Sequence, residues 1–200
     1  MCEFLPGRYE RVLEIGCGEG LFRANLTLPN TYVGVEPEAK PAAVARNVLD
    51  QVLVGTFDEV ADQLPRRHFD LVICNDVIEH MPDHDRFLDK IKEYISQDGV
   101  LVGSIPNMRY LPVMRELLVD RDWRYRESGV LDSTHLRFFT ERSWGRTLAL
   151  HGYVLEKLQG ITPIPIEGNL REKSVRRLMI AVLGDDIRFQ QFGFRSRISY

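Results

Sequence analysis

The chain has 200 residues, of which 44% are hydrophobic and 28% are charged, a balance typical of a globular protein with a buried core. The net charge of −3 argues against a strongly basic nucleic-acid-binding protein. Three cysteines (Cys2, Cys17 and Cys74) are too few for a disulfide framework, and no stretch approaches 18 apolar residues. The first ten residues lack a secretion leader, so we expect a reducing, cytoplasmic location without a membrane span.

Charge is unevenly distributed along the chain. Residues 171–200 hold seven basic and three acidic residues, a balance of +4, which leaves −7 in residues 1–170. Such a basic C-terminal edge is either a solvated surface or a surface for a protein partner or a second copy of the chain.

The first half of the chain alternates apolar and helix-forming segments. Strands are predicted at 11–15, 31–36, 51–54, 69–74 and 100–105, because these segments are rich in β-branched or aromatic residues and bounded by turn residues. Helices are predicted at 21–28, 39–49, 59–64 and 86–95, with a turn at Asp98-Gly99. This alternation predicts a mainly parallel α/β sheet, which binds ligands beyond the carboxyl ends of its strands.

The second half has weaker periodicity. A helix is predicted at 111–119, followed by an irregular, arginine-rich and aromatic segment at 120–139. Thr140 is a candidate N-cap for a helix that ends near residue 151, because its hydroxyl can accept from backbone N–H groups of the first turn. The remaining predictions are a strand at 153–158, a loop at 161–168, a helix at 175–183 and a final strand at 187–198.

A glycine-rich turn, Gly16-Cys17-Gly18-Glu19-Gly20, lies between the first strand and the following helix. Glycines permit positive φ and let a ligand approach the backbone, and a helix behind the turn would offer free N–H groups. The third glycine comes one residue too early for the G-x-G-x-x-G dinucleotide motif. The turn therefore favours a nucleoside site of another kind over a pyrophosphate site.

Two acidic residues, one before this turn and one at the end of the next strand, are candidate site residues. Glu36 ends the second strand and can accept hydrogen bonds from both hydroxyls of a ribose. Glu14 lies inside the first strand, where an unpaired carboxylate is costly. It either contacts a ligand or makes a hydrogen bond within the protein.

Three motifs in this order, VLEIGCGEG, YVGVEP and FDLVICNDVIEHM, resemble those of the class I S-adenosylmethionine-dependent methyltransferases. The later stretch LDSTHLRFFTERSW, followed by LALHGY, is similar to a segment of one branch of that family. The resemblance implies a single domain over 1–200 with a three-layer, Rossmann-like α/β fold. Its seven-stranded sheet would be mostly parallel, with the last strand antiparallel between the fifth and sixth.

The resemblance also implies S-adenosylmethionine as cofactor. By the family pattern, Gly16 and Gly18 would contact the methionine part, Glu36 the ribose, and Asn75 the sulfonium end. Thr56 stands where many relatives have Asp, so adenine recognition is expected to rest on backbone groups there. The complete predicted cofactor set is Glu14, Gly16, Cys17, Gly18, Glu36, Pro37, Thr56, Phe57, Asn75 and Asp76.

Two histidines are candidate catalytic bases. His80 follows the fourth strand, and imidazole titrates near neutral pH, so it can accept a proton from an acceptor hydroxyl. The alternative is a histidine that only fixes its loop. His135 is the second candidate, with a structural clamp over the cofactor as its alternative, and Asp76 would orient an imidazole or the acceptor.

A metal site is one interpretation of His80, Asp83, His84 and Asp85, whose residue types can coordinate an ion. Pro82 interrupts any helix that would join the two histidines. The two aspartates are better explained as an N-cap and a first-turn acid. We therefore expect no metal.

Candidate acceptor-binding residues are Asn107, Arg109, Tyr110 and Arg137, and residues 106–139 are the predicted lid, since only ten residues precede the first strand. The mixture of basic and aromatic residues at 121–126 suits stacking on a ligand or packing as a cover. The predicted function is methylation, at oxygen, of a small molecule or of a glycan, the latter because the LDSTHLRFF segment is similar to one in glycan-biosynthesis enzymes. The alternatives are a non-catalytic partner subunit and an NAD-dependent oxidoreductase, and nucleic acid is not an expected partner.

Overall fold

Seven strands form one sheet in a computed structural model that describes residues 1–27, 29, 31–164 and 170–199. Their order is β3-β2-β1-β4-β5-β7-β6, and β7 runs antiparallel to both neighbours while the other strands are parallel. The predicted fold, with its last strand between the fifth and sixth, is therefore confirmed. The strands are Arg11–Ile15 (β1), Thr31–Glu36 (β2), Gln51–Val54 (β3), Phe69–Asn75 (β4), Ile95–Pro106 (β5), Tyr153–Pro163 (β6) and Phe189–Ile198 (β7).

The central strands are buried on both faces, as apolar parallel strands require. Successive side chains of β1 point to opposite faces, so Leu13 joins one core cluster and Val12 the other. Helices cover both faces and complete the three layers. They are Ala39–Ala45 (α1), Phe57–Val60 (α2), His84–Ile91 (α3), Leu111–Arg115 (α4), Glu141–Leu150 (α5) and Leu170–Leu183 (α6).

Several helices are shorter than predicted. The segment after the glycine turn forms only a 3-10 helix, Leu21–Asn25, and Leu28 lies outside the described residues. The glycine turn is therefore not followed by the predicted α-helix, whose N-terminus would have offered free N–H groups to an anion. Helix α1 ends at Ala45 because the chain must turn into β3, and the Asp50 backbone N–H already donates to the Tyr32 carbonyl. The predicted helix at 59–64 is α2 followed by a 3-10 turn.

The predicted turn at Asp98-Gly99 is wrong, because these residues lie inside β5. Helix α3 begins at the Asp83 N-cap and ends at Ile91, so β5 begins earlier than expected. The register between β4 and β5 shifts at this point, and a Cβ on Gly99 would lie 2.7 Å from the Phe69 carbonyl oxygen. Gly99 therefore marks a bulge at which two backbones approach closely.

The second half follows the predicted order with different lengths. Helix α4 passes into a π-helical turn, Glu116–Asp120, and α6 begins at Leu170. Strand β6 extends to Pro163 into the predicted 161–168 loop, whose remainder from 165 lies outside the described residues. The Thr140 N-cap is confirmed, since its Oγ1 accepts from the Ser143 N–H at 3.2 Å.

Part of the basic C-terminal edge is neutralised within the chain. Arg195 and Arg197 both pair with Glu156 on the neighbouring strand, and Arg188 pairs with Asp185 at 2.9 Å. A partner surface at this edge stays a prediction. Over the part of the chain that the structure describes, none of the helices combines the length and apolar character needed to cross a membrane.

Candidate functional site

The carboxyl ends of β1, β2 and β4 open into a cavity of about 660 Å³, within the usual range for small-molecule sites. Its walls combine apolar groups, such as Ile15 and Val77, with the acidic Glu36. Seven of the ten residues predicted to bind the cofactor line it. These are Gly16, Glu36, Pro37, Thr56, Phe57, Asn75 and Asp76, and His80 lines it as well.

The glycine turn reaches this cavity, which we call the cofactor cavity, at Gly16. Gly16 has φ +68°, and a Cβ there would lie 2.5 Å from Cγ2 of Val77. Gly18 has φ +53° and open space where its side chain would be. Both positions therefore require glycine, Gly16 for close packing and conformation and Gly18 for conformation and for access to the backbone.

Glu36 joins the glycine turn to the end of β2. Its Oε2 accepts from the Gly18 N–H at 2.8 Å, and its Oε1 accepts from the Glu38 N–H at 3.0 Å. Each carboxylate oxygen has a second lone-pair direction, so Glu36 can still accept from ligand hydroxyls. The carboxylate is thus held in place by the backbone before any ligand binds.

Asn75 and Thr56 differ in how free their side chains are. The Oδ1 atom of Asn75 is buried and has no hydrogen-bond partner among the described residues, although the residue lines the cavity. A buried acceptor without a partner is costly and indicates a ligand donor. In contrast, the Thr56 hydroxyl donates to Oε2 of Glu59 at 2.8 Å, so its side chain already has a partner.

Three predicted cofactor residues, Glu14, Cys17 and Gly18, do not line this cavity. Glu14 is buried and accepts from the Tyr32 hydroxyl at 2.6 Å, and burial raises the pKa of Glu14 to about 7. The Cys17 thiol points to the core, where a Cβ on Gly34 would lie 2.6 Å from its Sγ, and burial raises its pKa to about 12. Of the two readings of Glu14, the hydrogen bond within the protein is the one observed.

A second cavity of about 170 Å³, which we call the polar cavity, adjoins the first and shares Asp76 and His80 with it. The three predicted catalytic residues all line it, although His135 is 55 positions from His80 along the chain. The two imidazole rings are edge to face, with centroids 4.7 Å apart. The other lining residues are Glu79, Pro106, Gly129, Val130, Asp132, Gln190 and Gln191.

Hydrogen bonds fix the tautomers of both histidines. The Nδ1–H of His80 donates to the Thr134 carbonyl at 3.3 Å and to its Oγ1 at 3.0 Å, since that hydroxyl donates to Asp132. The Nδ1–H of His135 donates to the Val130 carbonyl at 3.0 Å. Burial also lowers the pKa of His135 and favours its neutral form. In its neutral form each ring therefore has a lone pair on Nε2.

Asp76 stands at the junction of the two cavities with φ +52°. Its Oδ2 accepts from Nε2 of Gln191 on β7 at 2.8 Å. Desolvation by the surrounding protein raises the pKa of Asp76, against the opposing effect of hydrogen bonds from Ser104 and Gln191. The last strand therefore helps to position this carboxyl group.

Sequence reasoning missed Glu79, which is fully buried at the polar cavity. Neither carboxyl oxygen has a hydrogen-bond partner among the described residues. Burial, with Asp76 and then Asp132 adding to it, raises the pKa of Glu79 to about 8. The available signal was its place directly before His80, in the turn that follows β4.

The predicted acceptor residues lie elsewhere, because they tie chain segments together. Asn107 is fully buried, and its Nδ2 donates to the Asp186 and Phe189 carbonyls while its Oδ1 accepts from the Arg109 N–H. Arg109 itself pairs with Asp186 at a third cavity. Tyr110 packs in a small cluster around Val113. None of these three lines the cofactor or the polar cavity.

Arg137, the fourth predicted acceptor residue, donates to the Pro82 and Leu136 carbonyls and lines neither cavity. Its backbone N–H and that of Leu136 donate to the Glu79 carbonyl at 3.0 and 2.8 Å. The C-terminal part of the predicted 106–139 lid therefore rests on the 78–82 loop beside both cavities. Its action as a lid stays a prediction.

The amino-acid sequence is similar to a known protein family and to curated proteins. A family described as a methyltransferase domain matches residues 3–158. The ubiquinone biosynthesis O-methyltransferase of Azorhizobium caulinodans is 29% identical over 167 residues, which is 79% of this chain and 64% of that protein. The protein of the same name from Bradyrhizobium diazoefficiens is 32% identical over 107 residues, 50% of this chain and 41% of its own. This chain thus spans less than two thirds of either relative.

Solved structures share the fold. An S-adenosylmethionine-dependent methyltransferase from Archaeoglobus fulgidus superposes with a TM-score of 0.66 at 17% identity, covering 94% of this chain and 85% of that one. Another from Mesorhizobium loti gives a TM-score of 0.64 at 19% identity, covering 96% and 93%. At such identities the superposition supports the architecture and leaves the acceptor open.

Proposed function

Because the chain belongs to the class I S-adenosylmethionine-dependent methyltransferase family, we propose that it transfers a methyl group to a hydroxyl oxygen of a small molecule. The cofactor of this family is S-adenosylmethionine. The observation that carries the proposal is the pair of adjoining cavities, one suited to the cofactor and one lined by histidine and acidic side chains.

The residues of the cofactor cavity suit this cofactor. Glu36 has lone pairs for ribose hydroxyls, and the unpartnered Oδ1 of Asn75 is an acceptor for the ammonium group. The glycine turn leaves the space that the methionine part needs, and the apolar wall around Val77 suits the uncharged parts of the nucleoside. These contacts would hold the cofactor with its reacting end towards the junction of the two cavities.

When bound, S-adenosylmethionine supplies an electrophilic methyl group: the acceptor oxygen bonds to the methyl carbon while the carbon–sulfur bond breaks, its electron pair stays on sulfur, and S-adenosylhomocysteine and a proton result. The protein must align the acceptor and exclude water, and alignment alone lowers such barriers by roughly 7–11 kcal/mol. The junction at Asp76 and His80 is where this alignment would occur.

Two observations support a small hydroxylated acceptor. The polar cavity is small, at about 170 Å³, which suits a single ring or short chain better than a polymer. The curated relatives are named as O-methyltransferases of ubiquinone biosynthesis, which favours oxygen as the methylated atom. A glycan acceptor has less support, because the residues predicted to bind it are engaged within the protein.

The hydroxyl proton must leave during the reaction, and the polar cavity offers two routes. In the first, Nε2 of His80 takes the proton as a general base, with its Nδ1–H held by Thr134. Such a base contributes about 10²–10⁴-fold in rate. In the second, a bound cation lowers the pKa of the acceptor hydroxyl.

The decisive experiment incubates the purified chain with S-adenosylmethionine and a panel of small phenols, catechols and aliphatic alcohols, with matched amines. Release of S-adenosylhomocysteine and mass-spectrometric identification of a methyl ether would support the proposal. Transfer to the amines alone would overturn the choice of oxygen. Tight S-adenosylhomocysteine binding without turnover on any acceptor would favour the non-catalytic partner subunit.

A further inference from the structure

Three side chains from two distant segments meet at the polar cavity. Glu79 and His80 come from the turn after β4, and His135 comes from the irregular segment before α5. One potential ligand atom from each lies within 4.8 Å of the other two. Among the described residues this is the group of histidine and acidic side chains whose ligand atoms converge closely enough to share one ion.

The surroundings of both histidines orient them as ligands. Each Nδ1–H donates to a backbone carbonyl, that of Thr134 for His80 and that of Val130 for His135. Such outer hydrogen bonds fix the tautomer of metal-binding histidines and leave Nε2 free to coordinate. The Nε2 atom of His135 lies 3.9 Å from Oε1 of Glu79.

The buried side chain of Glu79 provides a second, independent observation in favour of a metal ion at this cavity. Its side chain is 0% exposed, lines the polar cavity and has no hydrogen-bond partner on either oxygen among the described residues. A buried carboxyl group without partners is costly, and buried acids usually pair with a cation or coordinate a metal. The Glu79 carbonyl accepts from the backbone N–H groups of Leu136 and Arg137, and these contacts hold the Glu79 segment against the residues before α5.

We propose that Glu79, His80 and His135 bind one divalent transition-metal ion. Two imidazoles and one carboxylate form a donor set typical of Zn²⁺, Mn²⁺ or Fe²⁺ sites and less suited to Mg²⁺ or Ca²⁺. Three protein ligands leave further coordination positions open towards the cavity. The expectation of no metal was based on His80, Asp83, His84 and Asp85. The proposed site shares only His80 with that group and adds Glu79 and His135.

This metal site would also have a role in the reaction, and that role rests on the proposed function. The metal would lie next to the cofactor cavity, because His80 borders both cavities. An acceptor hydroxyl in an open coordination position would lose its proton more readily, as metal-bound water does. His80 would then be a ligand, and the second route for the proton would apply.

The test measures binding of the metal alone. The purified chain is stripped with a chelator and titrated with Zn²⁺ and Mn²⁺ by calorimetry, and with Co²⁺ by its d–d absorption. We expect one ion per chain. We expect Glu79→Gln and His135→Ala each to weaken binding at least about tenfold, since even outer-shell losses cost 10–100-fold. His68→Ala, at the opposite end of β4, is the matched control and should bind normally.

Stoichiometric binding with the expected loss in both variants supports the site. Absence of binding by the native chain, or equal binding by Glu79→Gln, overturns it. Thermal unfolding of each variant checks that it is folded, and Glu79→Gln is the variant expected to fold because it keeps the shape of the side chain.

A parallel methyl-transfer assay, run with and without chelator, separates this proposal from the proposed function. Metal binding without methyl transfer would leave the metal site standing and remove the function. Methyl transfer that persists at full rate after chelation, with no metal bound, would leave the proposed function standing and remove the metal site.

Discussion

At the scale of single residues, Glu36 is the carboxylate that we propose to accept from the ribose hydroxyls of the cofactor. The backbone N–H groups of Gly18 and Glu38 hold it at the cavity wall. The carboxylate is therefore held in place before any ligand binds. The same contacts mean that Glu36 also organises the glycine turn, so cofactor binding and stability have to be measured together.

We predict that Glu36→Ala weakens S-adenosylhomocysteine binding by about 1–3 kcal/mol, or roughly 5- to 150-fold, because charge-assisted hydrogen bonds are lost. Calorimetry measures the change, with thermal unfolding to confirm folding. Glu19→Ala, an exposed acid in the same turn, is the control and should bind normally. Unchanged affinity in Glu36→Ala would remove the ribose role.

Glu14 makes a different prediction, on stability against pH. Burial raises its pKa to about 7 in the folded chain, from an ordinary value of 4.5. As pH rises through this window the unfolded chain releases the proton first, so the folded state loses roughly 3 kcal/mol of stability. The loss is absent below about pH 4.5 and complete above about pH 7.

We therefore predict that Glu14→Gln, which keeps an acceptor for the Tyr32 hydroxyl, becomes progressively more stable than the native chain from pH 4.5 to 7. Urea unfolding across this pH range measures the difference. Glu19→Gln should follow the native profile, because Glu19 is exposed. Parallel curves for Glu14→Gln and the native chain would refute the buried, protonated state of Glu14.

At the scale of elements, the glycine turn is determined by packing as much as by conformation. Gly16 and Gly152 both have positive φ, but only Gly16 has a neighbour, Val77, where a Cβ would be. The two positions therefore separate backbone strain from steric overlap.

We predict that Gly152→Ala costs about 1–2 kcal/mol in unfolding free energy, from strain alone. Gly16→Ala should cost about 1–3 kcal/mol more, because overpacking adds to the strain. It should also weaken S-adenosylhomocysteine binding, since Val77 lines the cofactor cavity. Urea unfolding and calorimetry test both statements, and equal losses in the two variants would contradict the steric argument.

At the scale of the whole molecule, the two ends of the chain stabilise each other. Strand β7 lies between β5 and β6, and a Cβ on Gly193 would lie 2.4 Å from the Phe4 ring. Phe4 is fully buried, and the Arg195 guanidinium donates to the Leu5 carbonyl. The first residues therefore cover the strand that also carries Gln191, the hydrogen-bond partner of Asp76.

We predict that Phe4→Ala lowers the unfolding free energy by about 3–5 kcal/mol, because a large buried side chain is removed. Cys2→Ala, an exposed neighbour, should change it by less than about 0.5 kcal/mol. Urea unfolding of both variants provides the measurement. A small effect of Phe4→Ala would show that the N-terminal turn contributes little to the sheet.

Local sequence patterns were sufficient to predict the strands of the first half, several residues of the cofactor cavity and the family. Strands β1 to β4 were predictable because apolar residues between turn signals describe a strand buried on both faces. The positions of Gly16, Glu36 and Asn75 at one cavity were predictable because strand ends in a parallel sheet meet at one edge. The order of the three motifs was sufficient to identify the family and, with it, the cofactor.

Only the tertiary structure decided what depends on contacts between distant segments. The shortened helices, the bulge at Gly99 and the internal hydrogen bonds of Asn107 result from neighbours that no local pattern specifies. The same is true of Glu79, whose burial and convergence with His135 require the segment before α5 to pack on the turn after β4. Sequence spacing sets which residue types are available, whereas packing sets which of them lose water and face one another.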